Sequence, residues 1–122
     1  MRTHTLYTYG TLRPKRGTTV LVPGKLYALG WFPGAQLLPD NEEEGPFITC
    51  ETIQLDDNQL ARTDGYEGYD PNNHAASLFI RQPYKDGWIY TYNGYFDEDR
   101  LIESGDWLQF KPDSRSVSFV HG

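Results

Sequence analysis

The chain has a single cysteine, Cys50, three scattered histidines and no long apolar run. One thiol cannot close an internal disulfide, so nothing in the fold calls for an oxidising compartment. His4, His74 and His121 lack the paired spacing of zinc ligands, and no metal is expected. Basic residues are scarce too: 11 Lys and Arg against 17 Asp and Glu leave a formal charge of −6. A nucleic-acid binder needs a basic stripe to displace counterions from phosphates, so that class is excluded. The start, Met1-Arg2-Thr3-His4, is polar, and no apolar stretch approaches the length of a signal or membrane segment. A cytoplasmic protein with no membrane partner is therefore expected.

With 122 residues the chain is expected to form one domain, 1–122, around one core, because splitting it would leave two marginal halves. A monomer is the default. Nine Tyr, six Phe and three Trp supply much of its apolar content, and wide rings pack best on pleated strands. Alternation predicts strands over residues 6–9, 24–29, 47–55, 77–81, 87–92 and 115–120. In the third of these the apolar positions 48, 50, 53 and 55 break phase near Glu51, which reads as a bulge. Asp56-Asp57-Asn58 offers capping oxygens for a short helix over residues 60–64, ended by Gly65. The remainder reads as turns: Gly30-Trp31-Phe32-Pro33-Gly34, the polar connector over residues 39–46, a hairpin at Lys85-Asp86-Gly87, and one helical turn over residues 97–103. Arg13-Pro14-Lys15-Arg16-Gly17 reads as an exposed basic loop with a solvated face.

Two local features carry chemistry. At Tyr9-Gly10-Thr11-Leu12 a strand runs into a glycine turn. Without a Cβ, Gly10 admits positive φ and a ligand's close approach, so successive N–H groups of Gly10, Thr11 and Leu12 would converge on an anion such as a carboxylate. The same residues would also serve as a plain tight turn. Glu67 lies between Tyr66 and Gly68, among aromatic residues. If those rings exclude water, its carboxyl would move towards neutrality and suit a residue that both takes and gives a proton; otherwise it is an ordinary exposed glutamate. Tyr90 and Tyr92 share a strand face, and either line a pocket or fill a core. Trp31 and Phe32 would shape a cavity mouth or cover a core, and Cys50 reads as a small core residue.

Taken in order, these segments resemble the γ-glutamylcyclotransferase family, including its branch related to plant avirulence-induced (AIG2-like) proteins. Tyr9-Gly10-Thr11-Leu12-Arg13 resembles that family's Y-G-[ST]-L-[RM] opening, and residues 24–34 its next strand and Pro-Gly turn. Residues 60–69 are similar to its L-x-x-L-D-x-x-E-G-Y segment, and residues 100–107 to its closing I-x-S-G-D-W. The resemblance implies an α+β fold, a small mixed β-barrel with short flanking helices and a cavity at one end. It implies a γ-glutamyl small molecule as substrate, gripped by the turn at Tyr9, Gly10, Thr11 and Leu12 with Tyr90 nearby, and Glu67 as the catalytic proton carrier. The α-amine of the glutamyl group would attack its own γ-carbonyl, closing 5-oxoproline and expelling an amine or amino acid. No cofactor is implied, since both reacting groups belong to one molecule. Thr63, Phe79 and Cys50 stand where the family often has Leu, Tyr and Gly. Retention of Glu67 points to an enzyme; the hydroxyl missing at Phe79 points to the alternative, a non-catalytic module that binds a small anion or a partner on the same fold.

Overall fold

The computed structural model describes residues 2–10, 12–14, 18–39 and 44–110. Along the chain run β1 (Thr3–Thr8), β2 (Thr19–Ala28), β3 (Pro33–Leu37), β4 (Phe47–Asp56), α1 (Asp57–Tyr66), β5 (Phe79–Tyr84), β6 (Gly87–Tyr92), β7 (Leu101–Ile102) and α2 (Trp107–Phe110). The strand expected over residues 115–120 lies outside the described residues.

The strands form one mixed sheet in the order β3-β2-β4-β1-β6-β5, with β7 paired to β2. β1 is flanked by β4, antiparallel, and by β6, parallel. β2 is longer than expected because it serves three partners, β4, β3 and β7. Its first half, to Pro23, pairs with β4, and from Gly24 onward it pairs with β3. Proline has no N–H to give a ladder. Here that is harmless: the Pro23 carbonyl accepts the Leu38 N–H at 3.0 Å and the Gly24 N–H turns to the Pro46 carbonyl at 3.0 Å. β3 was hidden among the breakers of the predicted turn, since an edge strand tolerates proline at its first position.

The sheet curls into a half-barrel. β3 reaches β6 although β2, β4 and β1 stand between them in the strand order. A Cβ on Gly34 would lie 2.9 Å from Tyr92 Cβ and collide with Leu29, so only glycine permits that approach. Apolar residues collect in two clusters. One contains Tyr7, Tyr9, Val22, Leu26, Ile48, Cys50, Ile89 and Trp107. The other is centred on Leu6, Phe79 and Tyr90, with Leu12, Phe32, Ile53 and Leu55 packed against it. β4 contributes to both, and this explains its broken phase. Its register against β1 and β2 is continuous from Phe47 to Asp56, so there is no bulge; the buried face changes along the strand.

α1 also exceeds the predicted helix. The Asp56 carboxylate accepts the Gln59 N–H at 2.8 Å while the Gln59 side chain accepts the Asp56 N–H at 2.9 Å, a reciprocal cap. Gly65 lies inside the helix, and Gly68, at φ +66°, turns the chain away. Leu60 and Thr63 face inward, where the helix packs on β4 and β1. In place of one helical turn over residues 97–103, a 3-10 turn, Glu98–Arg100, leads into β7.

Arg13 corrects the expectation of a solvated basic loop. It is 8% exposed. Its Nε and Nη2 donate to Glu51 Oε1 at 2.9 and 2.6 Å, and its Nη1 donates to Asp106 Oδ1 at 2.8 Å. Two acids distant in sequence supply the counter-charges that make burial tolerable. Removing the guanidinium leaves Glu51, 6% exposed, without its cation. Arg13→Met is therefore expected to cost about 3–5 kcal/mol, seen as a lower urea midpoint; an unchanged midpoint would show the triad to be energetically idle.

Two phenols make stability sensitive to alkali. Burial, then the hydrogen bond to Asp86, pushes Tyr7 up to about 12; burial, then Glu98, pushes Tyr27 up to about 12. The folded protein prefers both protonated, so their contribution is complete below the unfolded tyrosine value of about 10 and is lost as pH rises through about 12. Urea midpoints measured from pH 8 to 12 are expected to hold and then fall above pH 10. A level profile would contradict this.

Candidate functional site

β1 ends at Thr8, and Tyr9 and Gly10 carry the chain into a tight turn whose close is the Arg13 N–H donating to the Gly10 carbonyl at 3.1 Å. Thr11 lies outside the described residues. Leu12 packs on the cluster of Leu6, Phe79 and Tyr90. The Arg13 guanidinium pins the far end of the turn to β4 and to Asp106, just before α2.

Glu67 follows α1 as its C-cap residue and donates its backbone N–H to the Thr63 carbonyl at 2.9 Å. Its position is fixed from both sides, since the Gly68 carbonyl accepts the Leu78 N–H at 2.9 Å and the Asp64 carbonyl accepts the Tyr69 N–H at 2.9 Å. The side chain is 0% exposed. The neighbouring ring of Tyr66 does not bury it, because Tyr66 is itself 65% exposed. The rings that meet Glu67 electrostatically come from other elements. Tyr9 is pushed far above the usual phenol range by its burial and then by the Glu67 charge. Tyr90 is pushed up by burial, by its bond to Asp64 and by the charges of Asp64 and Glu67, with Arg81 opposing. Both phenols stay neutral at ordinary pH.

Neither phenol gives its proton to Glu67. Tyr9 donates to the Tyr90 carbonyl at 2.6 Å, and Tyr90 donates to Asp64 Oδ1 at 2.6 Å. Asp64 Oδ2 lies 3.3 Å from Arg81 Nη1. Asp64, Arg81 and Arg13 were not singled out as site residues from the sequence. A signal for two of them was present: counting back from the hairpin at residues 85–87 places Arg81 directly across from Tyr90, as observed, and Asp64 precedes Glu67 by almost one helical turn.

The remaining expectations divide. Tyr90 and Tyr92 do share a face, with Tyr90 buried in the second cluster and Tyr92 at its edge. Phe79 is wholly buried between Phe32 and Tyr92, at ring separations of 6.1 and 5.8 Å, a place filled by a ring without need of a hydroxyl. Thr63 introduces no stray polarity, because its hydroxyl donates to the Gln59 carbonyl at 2.9 Å. Phe32 packs inward and Trp31 is exposed. Cys50 is a core residue whose burial pushes its thiol up, away from nucleophilic use. A cavity of about 370 Å³ opens beside the second cluster, lined by Leu29 and Tyr92 from that cluster and by Tyr27, Gly30, Tyr95, Asp97 and Arg100. Among the described residues no group of three or more His, Cys, Asp or Glu could hold a metal ion, and no helix is long and apolar enough to cross a membrane.

The arrangement has relatives. The crystal structure of an uncharacterized protein, PH0828, from Pyrococcus horikoshii superposes with a TM-score of 0.60 over 94% of this chain and 98% of that one, at 16% sequence identity, which speaks for the fold alone. A "gamma-glutamylcyclotransferase family protein YtfP" of Escherichia coli K12 is 33% identical, covering 84% of this chain and 95% of its own length. The Citrobacter rodentium protein of the same name is 32% identical over the same share of this chain. Residues 6–109 match the family described as "Gamma-glutamyl cyclotransferase, AIG2-like". That span runs from β1 to α2 and takes in the glycine turn, Asp64, Glu67, Arg81 and Tyr90, and the chain belongs to the γ-glutamyl cyclotransferase, AIG2-like family.

Proposed function

We propose that this protein is a γ-glutamylcyclotransferase-type enzyme, releasing 5-oxoproline and a free amine or amino acid from a γ-glutamyl compound. The observation that carries the reading is Glu67, a carboxyl with no exposed surface at the end of α1, meeting two neutral phenols that spend their protons elsewhere. A buried carboxyl costs stability and is seldom kept for packing alone. On this family's scaffold, proton transfer is the use it fits.

In this reading the backbone N–H groups of Gly10, Thr11 and Leu12 receive the carboxylate of the γ-glutamyl group, and Tyr9, just past β1, and Tyr90 on β6 bound the site. Glu67 takes a proton from the α-ammonium, whose nitrogen then attacks the γ-carbonyl. The new C–N bond closes the five-membered ring and the ring nitrogen gives up a second proton; the amide C–N bond breaks as Glu67 passes one proton to the departing nitrogen, and the amine takes up the other as it leaves as an ammonium. The balance is complete without any co-reactant, and most of the barrier is lowered by holding the ring-closing conformer. The protein would act as a monomer in the cytoplasm on a small molecule, with neither nucleic acid nor membrane as partner.

The test is 5-oxoproline release from a panel of γ-glutamyl amines and amino acids by the wild type and by Glu67→Gln, which keeps the shape and removes the titrating group. The variant is expected to lose about 10²–10⁴-fold in kcat while remaining folded. Undiminished release by the variant would remove Glu67 from the mechanism. Absence of release by the wild type, with 5-oxoproline still bound, would make this a binding module.

A further inference from the structure

Arg81 on β5 and Tyr90 on β6 are cross-strand partners, so their side chains rise from one face of the sheet. The Arg81 guanidinium lies 4.5 Å from the Trp88 ring centre and 5.7 Å from that of Tyr69. These contacts hold the cation in place through the ring quadrupoles. From there Nη1 reaches Asp64 Oδ2 at 3.3 Å, and the other Asp64 oxygen accepts the Tyr90 hydroxyl at 2.6 Å. The Asp64 and Arg81 side chains are only 13% and 18% exposed, so water competes weakly with these charge-assisted bonds. Tyr90 is anchored at its backbone as well, where its carbonyl accepts the Tyr9 hydroxyl.

A phenol has one proton and two lone pairs. The Tyr90 proton is committed to Asp64, which leaves only lone pairs for any ligand. We infer that Asp64, held by Arg81, is a positioning residue that fixes Tyr90 as a hydrogen-bond acceptor for an N–H of the reacting amine. The inference rests on the cyclotransferase reading for the identity of that amine. It assigns a division of labour: Glu67 removes one proton, and the Tyr90 oxygen holds a second N–H so that the nitrogen lone pair turns towards the γ-carbonyl. The elevated proton affinity of Tyr90, caused by burial and then by Asp64, keeps the phenol from ionising in the presence of Glu67.

The experiment is a double-mutant cycle on Tyr90→Phe and Asp64→Asn, using the γ-glutamyl compound that the wild type turns over fastest and reading kcat and KM separately. Each single variant is expected to lose roughly 10- to 100-fold in kcat with a smaller change in KM. The double variant is expected to be no slower than the slower single one, because Asp64 acts only through the Tyr90 oxygen; additive losses overturn the inference. A second readout needs no turnover. In protein labelled with ¹³Cζ-tyrosine, the Tyr90 signal, identified by its loss in Tyr90→Phe, is expected to shift in Asp64→Asn. An unshifted signal overturns the inference whether or not the protein is an enzyme. A shifted signal in a wild type that turns over nothing supports Asp64's hold on Tyr90 and sinks only the cyclotransferase reading. If Asp64→Asn does not fold, Arg81→Gln replaces it, with a smaller shift expected and none overturning the proposal.

Discussion

The guanidinium of Arg13 is the group through which the glycine turn, the middle of β4 and the approach to α2 are held together. Each of these segments is weak by itself. The turn has a single backbone bond across it among the described residues, and α2 is four residues long. Fixing the cation between Glu51 and Asp106 gives the turn a partner on the sheet and brings Trp107, next in the chain, to the wholly buried place it fills in the first cluster. The cost is the burial of two charges in a small domain. It is offset only if both acids keep their geometry, which ties the order of the turn to the integrity of the whole half-barrel.

The other organising constraint is the curl of the sheet. An open sheet of this strand order would leave β6 far from β3, and the residues around Tyr92 would face water. Because Gly34 lets β3 come against Tyr92, the second cluster is enclosed by Leu12, Leu29, Phe32 and Tyr69 as well as by its own strands. That enclosure gathers rings around Tyr90, whose hydroxyl feels the Glu67 charge. Fold and site thus depend on one close backbone approach, made at a position with no side chain.

How much of this was legible in the sequence depended on the range of the interaction concerned. The strands β1, β5 and β6, the cap at Asp56 and the hairpin at residues 85–87 rest on local patterns, and local patterns are what a sequence displays. β3 and the first half of β2 were not legible, because Pro23 and Pro33 look like breakers until the partner strands are known to tolerate them. The broken phase of β4 was visible but misread, since a bulge and a change of buried face leave the same trace in one strand. Glu67 and the glycine turn stood out only through family resemblance, as neither is distinctive alone. Arg13 was missed because its two acids lie 38 and 93 residues away, beyond any window in which charge pattern can be read.

Asp64 shows what lies between those extremes. It sits in the same short segment as Glu67, yet its partners come from β5 and β6, so its position was local and its role was not. The routing of protons around it has a physical logic. A carboxylate that accepts a proton, as Glu67 does in the proposed reaction, is helped when neighbouring hydroxyls are bonded elsewhere. Two hydroxyls buried near Glu67 are bonded in this way. Tyr9 is turned aside by the Tyr90 carbonyl, and Tyr90 by a second carboxylate whose charge Arg81 balances. Asp64 therefore holds the Tyr90 proton in a bond of its own. Replacing the Asp64–Arg81 pair by apolar residues of equal volume would leave the Tyr90 hydroxyl without its acceptor, which makes the pair a device of the proposed chemistry as much as of the fold.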